Sequence, residues 1–183
     1  MDSTTGPYEE AKRWAEGGQS ASHYEDTLQD ARAQKERDQK LQKVVRAQDM
    51  PWERSRHGKL KHMVNERTNA RVKTLDAYMQ ELPPGGRSGK HRHMWEEYIF
   101  VLEGRGYDLH WDVDVEMADT YSWKAGEAKR YDWQAGDAIL IPVNTIHQHV
   151  NADPARPARF ISAQNRIYKA MGFNDLEQLE DAP

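Results

Sequence analysis

The sequence predicts an all-β domain, a small antiparallel sandwich or barrel, with a helical N-terminal arm and a short C-terminal helix. Three observations carry this. From about Asn69 to Asn165 the chain is a run of short strand-like segments punctuated by Gly and Pro, with hardly any helical pattern. Ahead of it lies a hydrophilic stretch whose residues 22–47 contain neither Gly nor Pro. Behind it, Asn174 and Glu177 have capping-box spacing. The expected divisions are an arm over 1–66, a barrel over 67–170 and a helical tail over 171–183.

Composition narrows the class. At 183 residues, one domain with an appended arm is the natural size. A net charge of −4 argues against a general nucleic-acid binder. No apolar run approaches the ~18 residues needed to span a bilayer. MDSTTGPYEE lacks the basic-then-apolar pattern of a signal peptide, so a cytoplasmic protein is expected. With no cysteine, disulfides, thiolate zinc sites and thiol nucleophiles are excluded. Any metal must be held by nitrogen and oxygen.

In the arm, Gly6-Pro7 followed by Glu9 and Glu10 suits a helix start, and Gly17-Gly18 a stop. Ser22 and Glu25 have capping-box spacing for a second helix reaching about Ala47. Leu28, Leu41, Val44 and Val45 give that helix only a thin apolar stripe, the pattern of a solvated arm or of one that docks on a partner. In the barrel, Leu75, Ala77 and Met79 alternate before the turn Pro83-Pro84-Gly85-Gly86. Tyr98–Leu102 is a strong strand, and Tyr107, Leu109 and Trp111 alternate in the next. Tyr131 and Trp133 precede the Gly136-Asp137 turn; Ala138–Ile141, His147–Val150 and Phe160–Ala163 complete the set. The long stretch between Gly104 and Gly136 predicts a hairpin or flap near the barrel mouth.

The chemistry concentrates in GKHRHMWEEYIFVLEG, residues 89–104. Side chains at i and i+2 leave one face of a strand, so His91 and His93 project together, and extended-chain parity adds Glu97, Ile99 and Val101. Glu96 falls on the opposite face. Two imidazoles and a carboxylate entering an apolar interior need a partner, and a divalent metal at about 2.0–2.2 Å supplies one. A fourth ligand has to come from another strand, and GDAILIPVNTIHQHVN offers His147 and His149 in the same HxH spacing.

These segments resemble the two motifs of the cupin superfamily. The first, G(X)5HXH(X)3,4E(X)6G, fits Gly85, His91, His93, Glu97 and Gly104 at every interval. The second, G(X)5PXG(X)2H(X)3N, fits Gly136, Pro142, His147 and Asn151, with Asn144 standing where the family has glycine. Asparagine tolerates a left-handed backbone, so the turn is expected to survive. The resemblance covers about residues 70–165. It implies a small antiparallel jelly-roll barrel with one divalent metal per chain, held by His91, His93, Glu97 and His147. Fe(II) is the favoured ion, with Mn(II), Ni(II), Co(II) or Zn(II) as alternatives. With the thin stripe on the arm, it also implies a homodimer in which the arm covers the neighbouring barrel; charge and hydropathy add the expectation of no nucleic-acid or membrane partner.

Three functions are compatible with that site. The first is an Fe(II) dioxygenase whose small oxygenated substrate (an aromatic, a diketone or a hydroxyketone) chelates the metal beside O2. Glu97 could then act as base if it swings off the metal. The second is a non-redox isomerase, lyase or decarboxylase, in which the metal is a Lewis acid and Glu97 or His149 moves a proton. The third is a ligand-binding or regulatory module without turnover. His149 also suits an ordinary hydrogen-bonded barrel histidine. Trp95, between ligands, and Arg130, ahead of a strand, are the weak candidates for substrate contact.

Overall fold

A computed structural model of the chain describes residues 6–16, 21–119 and 121–183. These form two compact units, Met1–Lys40 and Leu41–Pro183. The first holds α1 (Pro7–Glu16) and α2 (His23–Gln39). α1 begins at Pro7, as Gly6-Pro7 predicts; the stop expected at Gly17-Gly18 lies outside the described residues. Ser22 precedes α2 but does not cap it: its hydroxyl donates to Asp26 Oδ2 at 3.0 Å, so the box expected with Glu25 does not form. α2 ends at Gln39 rather than near Ala47, and none of its residues is buried.

The arm is also shorter than expected. Residues 53–64, read as part of it, form β1 (Glu53–Ser55) and β2 (Gly58–Val64), joined by a turn in which Gly58 takes φ +120°. Charged neighbours hide the alternation here, since Leu60 is buried between Lys59 and Lys61. β2 pairs with β3 (Leu75–Leu82), β3 with β10 (Ala158–Asn165), β10 with β5 (Glu97–Glu103), and β5 with β8 (Ala138–Ile141). This is a six-stranded antiparallel sheet.

The second sheet has five antiparallel strands. In order these are β11 (Leu176–Glu180), β4 (Lys90–His93), β9 (Ile146–Asn151), β6 (Arg105–Met117) and β7 (Tyr121–Gln134). β6 and β7 are the long hairpin expected between Gly104 and Gly136, paired from Arg105–Gln134 out to Met117–Tyr121. Three motif glycines, Gly85, Gly104 and Gly136, take φ of +63°, +93° and +93°, and Asn144 takes +64°. The asparagine therefore does hold the left-handed turn.

The short helix near the C-terminus lies earlier than expected, at Ile167–Ala170 (α3), and residues 176–180 are strand β11. Two alternatives outcompete the capping box. Asn174 accepts from Arg166 Nη2 at 2.8 Å, and the backbone of 176–180 completes the otherwise open edge of β4.

Apolar and polar residues segregate inside the barrel. Leu82, Ile99, Val101, Trp133, Ile139, Ile141, Ala158 and Phe160 form one buried cluster. Elsewhere the inward positions are polar. On β3 they are Tyr78 and Gln80, and on β6 Asp108 and His110, while the apolar alternations Leu75/Ala77/Met79 and Tyr107/Leu109/Trp111 face the other way. So many buried polar groups are tolerated only when they bond to one another or to a ligand.

Candidate metal centre

His91 and His93 do share the inward face of β4, and both are buried. Glu97 reaches the same place by another route. The strand breaks at Met94–Glu96, where the chain crosses from the five-stranded to the six-stranded sheet, so Glu97 opens β5 in the facing sheet. Parity selects the right residues because the inner faces of both sheets line one lumen. Glu96 is exposed, as expected. His147 stands on β9 directly opposite His91. One ligand atom from each of His91, His93, Glu97 and His147 lies within 4.8 Å of the others. Two ligands bound at ~2.0–2.2 Å to one ion are at most ~4.4 Å apart, so only a small contraction is needed.

Hydrogen bonds orient the set. His93 Nδ1 lies 2.7 Å from the Trp95 carbonyl and His147 Nδ1 3.0 Å from the Thr145 carbonyl. A carbonyl can only accept, so each Nδ1 carries the proton and each Nε2 presents a lone pair. Both Nε2 atoms face Glu97 Oε2, at 2.9 Å from His93, within hydrogen-bond reach, and at 3.4 Å from His147, whose Nε2 has no partner. With both rings neutral these are acceptors directed at an acceptor, an arrangement that a cation between them relieves. The other carboxylate oxygen, Oε1, accepts from Tyr78 Oη at 2.9 Å and from Ser162 Oγ, which pins the carboxylate from behind. Trp95 stacks on His93 with rings 4.9 Å apart and parallel, and its Nε1 donates to Gln164 Oε1 at 3.0 Å.

The protonation states suit a metal. Burial pushes His91 well below its ordinary value, with His147 and His57 adding to it, and pushes His147 down to about 4. Both are therefore neutral ligands near pH 7. Burial alone would raise the Glu97 carboxyl, but protons on the facing His147 and His93 nitrogens, positions that a bound cation would take over, hold it well below the usual carboxylate range. A donor set of three imidazoles and one carboxylate fits a divalent ion such as Fe(II), Mn(II), Co(II) or Ni(II).

Residues missed by the sequence reading complete the surroundings. Asp108 lies opposite His149 across β6 and β9 and accepts from His149 Nδ1 at 2.8 Å; its other oxygen accepts from Trp133 Nε1 at 2.8 Å. His149 is thus a hydrogen-bonded barrel histidine that still presents a buried, unpartnered Nε2. His57, from the β1–β2 turn, brings its ring to 4.2 Å from that of His91, with neither ring nitrogen paired. Burial drives it down to about 3, so it too is neutral. Each such orphan costs about 1–3 kcal/mol unless a ligand satisfies it. The one signal in the sequence was a run of polar residues at inward strand positions.

Arg130, a candidate for substrate contact, lies on the outer face of the hairpin. It pairs across the hairpin with Leu109, on the face away from Asp108 and His110, where it bonds Asp132 and covers Tyr107 at 3.8 Å. Trp95 is occupied against His93. Arg92, outward on β4, is buried under β11 by Asp175 at 2.9 Å and Glu177 at 3.2 Å, and also donates to Asn144 Oδ1. A cleft of about 590 Å³ between the β7 and β8 edges reaches His110 and Thr145 but none of the four candidate ligands.

Two facing antiparallel sheets with inward histidines from adjacent strands define a jelly-roll barrel built around a candidate metal centre. Residues 78–163 match the family model described as "Cupin domain", and this stretch is a cupin domain. Its motif is the 3-His/1-Glu set. Among curated proteins, auxin-binding protein 1 of Arabidopsis thaliana is 30% identical over 80 residues, 44% of this chain and 37% of its own length. Auxin-binding protein T85 of Nicotiana tabacum is 29% identical over 77 residues, 42% of this chain and 38% of its own length. The match thus spans little more than a third of these relatives. Among solved structures, Bacillus subtilis oxalate decarboxylase superposes with a TM-score of 0.54 at 19% identity, covering 73% of this chain and 31% of that one. A Lactobacillus farciminis oxalate decarboxylase–formate complex gives 0.52 at 22%, covering 72% and 34%. At these identities the likeness is one of fold.

Proposed function

We propose that this chain is a metal-dependent enzyme, an Fe(II) dioxygenase acting on a small oxygen-rich substrate that chelates the ion held by His91, His93, Glu97 and His147. The observation that carries the reading is the meeting of His91, His93, Glu97 and His147, with one ligand atom of each within 4.8 Å of the others. His93 and His147 turn their Nδ1 atoms to carbonyls, which leaves Nε2 of each facing Glu97. When bound, a divalent ion of this ligation supplies open positions for adjacent substrate oxygens and, as iron, for dioxygen. The chain's own residues do the rest. Tyr78 and Ser162 keep Glu97 turned toward the centre, so using Glu97 as a free base means breaking two hydrogen bonds. His149, steadied by Asp108, is the residue we assign to proton transfer.

The Asp108–His149 pair also favours a second reading, an oxygen-independent lyase, isomerase or decarboxylase. The Mn(II) centres named for Bacillus subtilis oxalate decarboxylase make Mn(II) the ion for that case. Elemental analysis of protein purified without added metal, followed by O2-electrode assays on the Fe(II)-loaded form, separates the two. Diphenols, hydroxyketones and β-diketones form the panel, and uptake of O2 with at least one is expected. No uptake across the panel with iron in place overturns the dioxygenase. Anaerobic turnover supported by Mn(II) selects the alternative. Binding without turnover is the outcome that the auxin-binding relatives favour. We also propose a cytoplasmic homodimer, which a monomeric mass by light scattering would overturn. Among the described residues, no helix is long and apolar enough to cross a membrane.

A further inference from the structure

We propose that His57, Gln80 and His149 form a second half of the substrate site, a polar subsite beside the metal that takes an uncharged hydroxyl or carbonyl oxygen of the substrate. The inference rests on the metal-centre reading above and specifies its substrate class: a compound with a chelating oxygen pair and a third oxygen next to it.

The subsite is assembled from one turn and two strands and is short of partners in one place. Both ring nitrogens of His57, Oε1 of Gln80 and Nε2 of His149 are buried and unpartnered. The rings of His57 and His149 are 6.0 Å apart, and His57 lies 4.2 Å from His91. The group therefore adjoins the candidate ligand His91. The turn that carries His57 is held on several sides. Its carbonyl accepts from Gly89 N at 3.1 Å and Gln80 Nε2 at 2.9 Å, and its own N–H donates to Ser55 Oγ at 3.2 Å. With Gln80 Nε2 committed there, Oε1 is left as an acceptor. His149 Nδ1 is committed to Asp108, which leaves Nε2 for the lumen. The recognised group is a hydroxyl or carbonyl oxygen because Gln80 Oε1 can only accept and no lysine or arginine joins it. Arg92, the one buried lysine or arginine among the described residues, is tied to Asp175 and Glu177 on the far side of β4.

Catechol and pyrogallol differ by one hydroxyl beside the chelating pair, so they serve as probes. Co(II)-loaded protein is titrated with each under anaerobic conditions, following the visible cobalt bands and calorimetry, with cobalt content measured first. Wild type should bind pyrogallol about ten-fold more tightly than catechol, the worth of one well-placed hydrogen bond. His57→Phe should bring the ratio within about two-fold, each titration being read on protein of measured cobalt content. His57→Gln should keep part of the preference. The same ratio in wild type and His57→Phe overturns the subsite, as does a wild type that does not discriminate. If His57→Phe does not fold, histidine-15N spectra of the Zn(II)-loaded wild type decide. Pyrogallol but not catechol should shift the His57 ring nitrogens, and unmoved signals overturn the proposal. Wild-type protein that takes up no cobalt overturns the metal-centre reading itself, and with it this inference, whereas uptake without discrimination removes the subsite alone.

Discussion

Replacing Asp108 by asparagine tests whether the polar interior is held together by the pairs described above. Asp108 is fully buried and accepts from Trp133 Nε1 and His149 Nδ1, each at 2.8 Å, with His110 Nε2 further off at 3.4 Å. An amide keeps one accepting oxygen and turns an N–H₂ toward one of those two donors. One buried hydrogen bond to a charged group is lost, worth about 1.5–3 kcal/mol, and one buried donor is stranded, costing a further 1–3 kcal/mol. The total of about 3–5 kcal/mol matches the usual cost of breaking a buried charged pair. At about 2–4 °C per kcal/mol for a chain of this size, the Tm should fall by roughly 10 °C. The measurement is thermal unfolding of metal-free protein followed by circular dichroism, so that no metal effect enters. Asp112→Asn is the control, at an exposed carboxylate, and should change stability by less than about 0.5 kcal/mol. The pH dependence has a definite sign. Burial alone would raise the Asp108 carboxyl, but His149, with hydrogen bonds from His110 and Trp133, holds it below its ordinary range. A carboxyl depressed in the folded state contributes stability above its unfolded value of about 3.9, and that contribution is lost as pH falls below it. The penalty of Asp108→Asn should therefore shrink on acidification below about pH 4. A Tm drop under 2 °C at pH 7, or a penalty that grows in acid, would refute the reasoning.

Three further outcomes are expected. Tyr78→Phe frees Glu97 Oε1 from one of its two holders and should weaken metal affinity by about 10–100-fold in chelator competition, and an unchanged affinity would show that the carboxylate needs no support. Glu97→Gln removes the anionic ligand, so protein purified in parallel should carry less than about a tenth of the wild-type metal while its far-ultraviolet spectrum is unchanged; full occupancy would remove Glu97 from the centre. Asn144→Gly keeps the φ of +64° accessible, whereas Asn144→Val strains it by about 1–2 kcal/mol, so the valine variant should unfold at lower urea concentration; the reverse order would refute the backbone argument.

The candidate ligands were legible in the sequence because they obey local rules. His91 and His93 are one residue apart on a strand, and the glycines, the proline and Asn144 mark turns whose backbone angles few residues accept. Alternation with Ile99 and Val101 placed Glu97 inward although the strand it was counted along is really two strands in facing sheets. Apolar alternation misled where the lumen is polar: on β3 and β6 the hydrophobic residues face away and Tyr78, Gln80, Asp108 and His110 point in. Charge hid β1 and β2, whose lysines and arginines read as a solvated arm.

What the sequence alone determined, then, is the set of short-range geometries: HxH parity and the left-handed turns. Only the tertiary structure decided which distant groups meet. It set Asp108 opposite His149, put Tyr78 and Ser162 behind Glu97, brought His57 beside His91, and made residues 176–180 a strand. The reason is physical. A capping box or an alternation is a preference of a few kcal/mol at most, whereas an open sheet edge and a buried unpaired carboxylate are demands that only residues far along the chain can meet.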